Sequence, residues 1–395
     1  MPNLQYFDMK KEKLARVIKD TKKILREHRL CDHCLGRMFA KRLDVLSHNK
    51  LGQKIRHSLK QRNPKSCYIC KNLMSDMDIH LGKMLEISKE YEFSSFLVGA
   101  ILQPSILDRD DTIRSKFKLR GITGIKSEVT REIGKRFGRK TKTKVDYNSP
   151  DVVLTIDFKK ELCEIKPKAI LVQGRYTKNT RGIPQKQKPC IQCEGGGCFH
   201  CDFHGISDFN SVEGKIAKFL FDKFGAKQAK ITWVGSEDES SLVLGQGRPF
   251  FAKLINPHKR SLSLPHKKSL DGISVLNLGI ISKIPSDNLK FRAQVVLEVD
   301  TENRIEPYVL KTLHYLKEHP ISLRENHSWK NKKRIYGIKL KQKSYRSFTI
   351  LLELDGGIPI KRLVSGQDVE PSFSSILENQ CKCKLFDFHK ISFTN

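Results

Sequence analysis

Cys190-Ile191-Gln192-Cys193-Glu194-Gly195-Gly196-Gly197-Cys198-Phe199-His200-Cys201 places two Cys-x-x-Cys pairs on either side of three glycines. The glycines let a short hairpin fold back so that four thiolates converge on one point. Two more pairs, Cys31/Cys34 and Cys67/Cys70, stand with 32 residues between them, so eight of the eleven cysteines fall in four pairs of one spacing. Two residues between thiols give the bite that tetrahedral zinc requires. The expected occupants are two zinc ions, one held by Cys31, Cys34, Cys67 and Cys70, the other by Cys190, Cys193, Cys198 and Cys201. Four thiolates leave no open coordination position, so both sites are expected to be structural. A disulfide framework belongs to small secreted domains, which this chain does not resemble in length or composition.

The opening MPNLQYFDMKKEKL has no apolar signal core, and no stretch is long and apolar enough for a membrane span. A cytoplasmic, thiol-preserving setting is expected, with no membrane partner. The 395 residues carry 74 Lys and Arg against 43 Asp and Glu, a net charge of +31 spread along the whole chain. A surface that basic calls for a polyphosphate partner, and nucleic acid fits it.

Residues 9 to 30 read as an amphipathic helix with Leu14, Val17, Ile18, Ile24 and Leu25 on one face. A second helical stretch from Leu43 to Leu59 leads to the Cys67/Cys70 pair, and His33 reads as a solvated loop residue. From residue 76 the pattern changes: Tyr91–Leu102 and Asp151–Phe158 read as strands and Lys126–Phe137 as a basic helix. Beyond residue 206, Val212–Phe224 reads as a helix, and Ala229–Val234, Pro249–Asn256 and Phe291–Val299 as strands. The fold class is α+β. Its expected parts are a helical zinc-binding segment over 1–75, an RNA-binding region with a basic loop and the zinc knuckle over 76–205, and a catalytic domain over 206–395.

Gly235-Ser236-Glu237-Asp238-Glu239-Ser240-Ser241-Leu242-Val243-Leu244-Gly245-Gln246-Gly247-Arg248-Pro249-Phe250 lies between two of these strands. Acids after a strand in so basic a chain hint at an active site. Gly245-x-Gly247 is no dinucleotide fingerprint, because Arg248-Pro249 follows where a helix should open. Asp238 followed by Leu244-Gly245-x-Gly247-Arg248-Pro249-Phe250 resembles the catalytic motif of the archaeal tRNA pseudouridine(54/55) synthase family, the tenth Pus family. Other segments match in the family's order. Gly174-Arg175-Tyr176-x-Lys178-x-x-Arg181-Gly182-Ile183-Pro184-Gln185 resembles its basic tRNA-approaching loop, and the Cys190–Cys201 knuckle follows. Leu30–Arg37 with Cys67/Cys70 resembles its amino-terminal zinc site. Ile360-Lys361, Val364-x-Gly366 and Pro371-Ser372 resemble its last catalytic motif. Asn148–Leu154 and Ala169–Val172 resemble the end of a THUMP domain, a module of tRNA-modifying enzymes.

The resemblance implies a THUMP-containing region followed by a catalytic domain with a mixed, mainly antiparallel sheet. It implies isomerisation of uridine to pseudouridine at position 54, 55 or both in the T-arm of tRNA, by a monomer with no organic cofactor. Asp238 would act as nucleophile or as base at the ribose, with Lys361 beside it to keep it ionised. Phe291 would stack on the flipped uracil. Arg175, Lys178 and Arg181 would contact tRNA backbone from a mobile loop, and Glu237 and Glu239 would point elsewhere. The sequence departs from the family pattern at Ser236, where arginine is usual, and at Phe291 and Pro359, where tyrosine is usual. Two alternatives are a zinc-stapled tRNA-binding protein without catalysis and another THUMP-linked tRNA-modifying enzyme. The second lacks support, since neither a glycine-rich nucleoside-binding loop after a strand nor a phosphate-binding loop is found.

Overall fold

The computed structural model describes residues 3–45, 47–285, 289–325 and 328–394. The chain divides into two compact units, Met1–Lys168 and Ala169–Asn395.

In the first unit, helices α1 (Asn3–Glu27), α2 (Asp32–Leu43), α3 (His48–Ser58) and α4 (Met77–Ser88) precede a small α/β layer. That layer comprises β1 (Ser95–Ile101), α5 (Pro104–Lys116), α6 (Ile125–Thr141), β2 (Lys144–Val145), β3 (Val152–Asp157) and β4 (Leu162–Pro167). The sheet order is β2-β1-β3-β4, parallel except for the β3–β4 pair. Helix α1 ends at Glu27, short of the expected residue 30, because Arg29 is drawn out to accept a hydrogen bond from the Tyr68 amide at 2.7 Å. Val17 and Ile24 are buried as expected, while the Leu14 side chain lies outside the described residues. The expected helix over 43–59 is observed as α3 from His48, because Asp44 in the left-handed region (φ 52°) closes the preceding α2 at Leu43. Residues 1–75 form no separate body, because the four cysteines share one hydrophobic core with Phe96, Phe137 and Leu154.

In the second unit the chain runs β5 (Ile170–Lys178), α7 (Val212–Phe224), β6 (Gln228–Trp233), β7 (Leu242–Ile255), β8 (Lys267–Leu270), β9 (Ile273–Ile281) and β10 (Phe291–Thr301). It continues through α8 (Pro307–Leu310), α9 (Tyr315–Glu318), β11 (Ile321–Glu325), β12 (Ser328–Lys333), β13 (Ile335–Ser344) and β14 (Ser347–Asp355). It closes with α10 (Ile360–Ser365), β15 (Val369–Glu370), α11 (Phe373–Leu377) and β16 (Cys381–Phe393). Helix α7 matches its expected bounds. The Ser211 hydroxyl accepts from the Gly214 amide at its start, and Gly225 (φ 60°) ends it.

A nine-stranded sheet runs β13-β14-β10-β16-β7-β5-β9-β8, with β6 also on β7. Every pair is antiparallel except β16–β7, so the sheet is mixed and mainly antiparallel, as expected. Strand β5 decides the unit boundary. It pairs with β7 and β9, and the knuckle is tied to β6 through Gln228, so the basic segment and the knuckle belong to this unit rather than to the region before residue 206. The 14-residue β7 holds two neighbours along one edge: β16 pairs at Leu242–Val243, and β6 pairs at Phe250–Ile255. The loop 234–241 bridges the gap between them, and it carries Asp238.

Candidate active site

Asp238 is about a third exposed. Its Oδ2 lies 2.7 Å from Lys361 Nζ, and its Oδ1 accepts from the Ser240 hydroxyl at 2.6 Å and the Ser240 amide at 3.0 Å. Burial opposes ionisation of this carboxyl. The Lys361 ammonium and the Ser240 donors outweigh burial and hold it down at about 2. Lys361 is the second residue of α10, 123 positions away in sequence, and half exposed. The structure therefore brings together the two residues that the sequence reading paired.

Beside them is a cavity of about 200 Å³ lined by Ser236, Arg248, Phe291, Pro359, Arg362 and Phe388 among others. Phe291 and Pro359, both expected to contact substrate, thus line one cavity. The tip of the Phe291 ring lies in a slot between two glycines. A Cβ on Gly235 would meet its Cζ at 2.5 Å, and one on Gly356 would meet Cζ at 2.3 Å. Gly235 also has φ 76°, so its lack of a side chain serves both the turn after β6 and the seating of this ring.

Arg175, Lys178 and Arg181 are placed differently from the expectation. Arg175 and Lys178 are on β5, not on a mobile loop. Arg175 donates to the carbonyl oxygens of Gln246, Gly247 and Ile391. Arg181 makes a bidentate pair with Asp387 at 2.7 Å and donates to Ser240 O. Lys178 is fully buried, with Nζ donating to Ile183 O and Asp238 O at 3.0 Å and to Glu239 O at 3.3 Å. An ammonium has three donors, and all are used. Lys178 and Arg181 fix the Asp238 loop to β5 and β16, and Arg175 ties β7 to β16.

The sequence reading also missed the partner of Lys178. Glu237 does not point away. Its side chain is fully buried, 3.1 Å from Lys178 Nζ, and it accepts from the Tyr176 hydroxyl at 2.8 Å. Gln185 joins this cluster, donating to the Tyr176 oxygen at 3.1 Å and accepting from the Glu237 amide at 3.3 Å. Arg248, equally buried, donates from Nη1 to Val234 O at 2.8 Å and stacks over Phe388 at 4.3 Å. Its Nε is 3.6 Å from Glu237, and its Nη2 has no hydrogen-bond partner among the described residues. The available signal was the motif itself, since Tyr176, Lys178, Gln185, Glu237 and Arg248 all fall in the two segments already singled out.

The eight paired cysteines form two tetrads whose sulfurs lie within 4.8 Å of one another, positioned to bind a metal. Sulfur–sulfur separations of 3.7 Å for Cys31–Cys70 and 3.8 Å for Cys193–Cys201 match the edge of about 3.8 Å that a tetrahedron with ~2.3 Å zinc–sulfur bonds would have. His33 is not a solvated loop residue. It is buried in α2, with Nε2 2.7 Å from Asn49 Nδ2. No described helix is long and apolar enough to cross a membrane.

The archaeal Pus10 THUMP domain model matches residues 81–157, and the Pus10 C-terminal model matches residues 171–392. A relative from Nitrosopumilus maritimus, named tRNA pseudouridine synthase Pus10, is 46% identical over 376 residues, covering 95% of this chain and 98% of its own length. A second with the same name, from Cenarchaeum symbiosum, is 36% identical over 363 residues, covering 92% and 90%. Among solved structures, a chain from an H/ACA RNP bound to a substrate RNA containing 2'-deoxyuridine aligns at TM-score 0.28 and 8% identity, over 54% of this chain and 47% of that one. That likeness carries no argument. The C-terminal model spans more than half of the chain and the first relative nearly all of it, so this chain belongs to the Pus10 family.

Proposed function

We propose that the protein is a tRNA pseudouridine synthase acting at position 54, 55 or both of the T-arm, with Asp238 as its essential carboxylate. The observation that carries this reading is the Asp238–Lys361 pair at 2.7 Å beside a one-base cavity edged by Phe291. The reaction breaks the C1′–N1 bond, turns the uracil over, joins C5 to C1′ and moves the C5 proton to N1, so composition and oxidation state are unchanged and no organic cofactor is needed. Asp238 serves either as nucleophile or as base at the ribose, and both roles need the ionised form that Lys361 and Ser240 favour. A base must leave its stack to reach such a pocket, and the Phe291 ring offsets part of that cost. The unpartnered Arg248 Nη2 supplies a donor for a uracil carbonyl.

Zinc is the proposed occupant of both tetrads, as a structural ion that anchors the amino-terminal helices and the knuckle. Thiolate ligation suits a cytoplasm that keeps cysteines reduced. A monomer is sufficient, because Asp238, Lys361 and Phe291 all come from one chain. The test is to incubate the protein with unmodified tRNA and no cofactor, then map pseudouridine. Formation at 54 or 55 supports the reading, and its absence with intact tRNA binding favours the non-catalytic alternative.

A further inference from the structure

On the second unit, the knuckle and α7 carry aromatic rings and lysines that the candidate active site does not use. The knuckle exposes its tips: Ile191 is 89% exposed, Phe199 82% and Phe203 48%. Knuckle residues in a pure staple have no reason to keep large apolar groups in water, so these point to a covering partner. Lys227 Nζ sits 5.4 Å over the Phe203 ring. Next to it, the half-buried His204 stacks on the buried Phe221 at 4.2 Å and meets the half-buried Phe209 edge-on at 6.1 Å. Lys218 Nζ lies 5.7 Å over Phe209. There the surface opens into a groove of about 600 Å³ lined by Phe209, Phe219, Lys218, Lys223 and Lys268, with Asp222 as a counter-charge. Lys215 and Asp271, also in the groove, pair with each other at 2.7 Å.

We infer that this track binds an unpaired segment of the RNA substrate, its bases stacking on the exposed rings and its phosphates lying along the lysines. The inference rests on the reading that tRNA is the substrate. Alternating cations and aromatic faces are the chemistry of single-strand binding: rings accept any base, and lysines follow the backbone. A protein partner would need acidic residues to answer the lysines and would gain nothing from cations set over rings, whereas RNA satisfies both. The position also fits. Lys227 precedes β6 and Asp238 follows it, so at ~3.3 Å per residue the track begins within about 36 Å of the candidate catalytic carboxylate. The knuckle is held to the same strand, since Gln228 Nε2 donates to Gly196 O at 2.9 Å and Phe203 O at 3.2 Å. Loading that tetrad with metal would thus set the track's geometry relative to the active site.

The test uses the full chain, with its metal content measured, and fluorescent unmodified tRNA titrated over a range of salt. Lys218→Gln/Lys223→Gln/Lys268→Gln should weaken binding about tenfold or more and flatten the salt dependence by roughly 0.7 for each phosphate no longer neutralised. Ile191→Ser/Phe199→Ser should weaken binding at least about fivefold with the salt slope unchanged, because stacking rather than charge is removed. Unstructured RNA should compete for the parent protein better than a duplex of equal length. Thermal unfolding at the parent temperature and unchanged metal content establish that each variant folds. Unchanged affinity in both folded variants, or equal competition by duplex, overturns the inference and assigns the surface to a protein. Pseudouridine formation by the parent protein is measured in parallel. Its failure would overturn the catalytic reading alone and leave the binding result standing.

Discussion

Lys178 Nζ donates to the main-chain oxygen of Asp238 at 3.0 Å and lies 3.1 Å from the carboxylate of Glu237, with neither side chain of that ion pair reaching solvent. The loop carrying the candidate catalytic carboxylate is therefore hung on a buried charge pair. Removing one partner leaves the other charge uncompensated in the interior, which costs ~3–5 kcal/mol. Lys178→Met and Glu237→Gln should each lower the midpoint of thermal unfolding, and pseudouridine formation should fall with it. The double variant should be less destabilised than the sum of the two, and strict additivity in that cycle would show that the pair is not coupled.

Asp238→Asn keeps the size of the side chain and removes its charge. Pseudouridine formation should fall by at least ~100-fold, with tRNA affinity and thermal stability close to those of the parent. Glu239→Gln changes an exposed residue, and should stay active. Comparable rates for Asp238→Asn and the parent would remove this carboxylate from the mechanism.

The pH dependence follows from the Asp238–Lys361 pair. A carboxyl held down at about 2 lies below its ordinary value near ~3.9, so its contribution to stability is fully present above about pH 4 and is lost as the pH falls toward 2. Between pH 4 and 8 the activity should show no acid limb from Asp238. Lys361→Met deletes the strongest force lowering that carboxyl, so an acid limb in kcat/KM should move up into the measured range. A pH–rate profile of Lys361→Met with the same acid edge as the parent would contradict this account.

Arg248→Lys keeps the charge but removes the Nη2 donor that has no partner among the described residues. If that donor meets a uracil carbonyl, kcat/KM should drop by ~10–100-fold, the effect of a hydrogen bond to a charged group. Circular dichroism and thermal unfolding separate this from a disruption of the Val234 and Phe388 interactions. An unchanged kcat/KM would make Arg248 structural only.

Protein purified without chelator should hold about two zinc ions per chain. Cys198→Ser/Cys201→Ser should lose one, while the buried amino-terminal tetrad keeps its own. Metal analysis decides this, and a preparation without zinc would contradict the assignment.

Both cysteine tetrads could be read in the sequence because a two-residue spacing is a local constraint: it sets the bite of each pair before any tertiary contact forms. Helix α7 was legible for the same reason, since Ser211 and Gly225 cap an apolar stripe at its two ends. Asp238, Lys361 and Phe291 could be singled out only through motif resemblance, because periodicity says nothing about residues 123 positions apart. What only the tertiary structure decided was the fate of the charges. Arg175, Lys178 and Arg181 form a basic segment in the sequence, but β5 lies between β7 and β9, and that pairing turns Lys178 inward. Whether a cation meets a phosphate or a buried carboxylate depends on which strand lies beside it. Strand pairing is non-local, and here it turned an expected RNA contact into the anchor of the active-site loop.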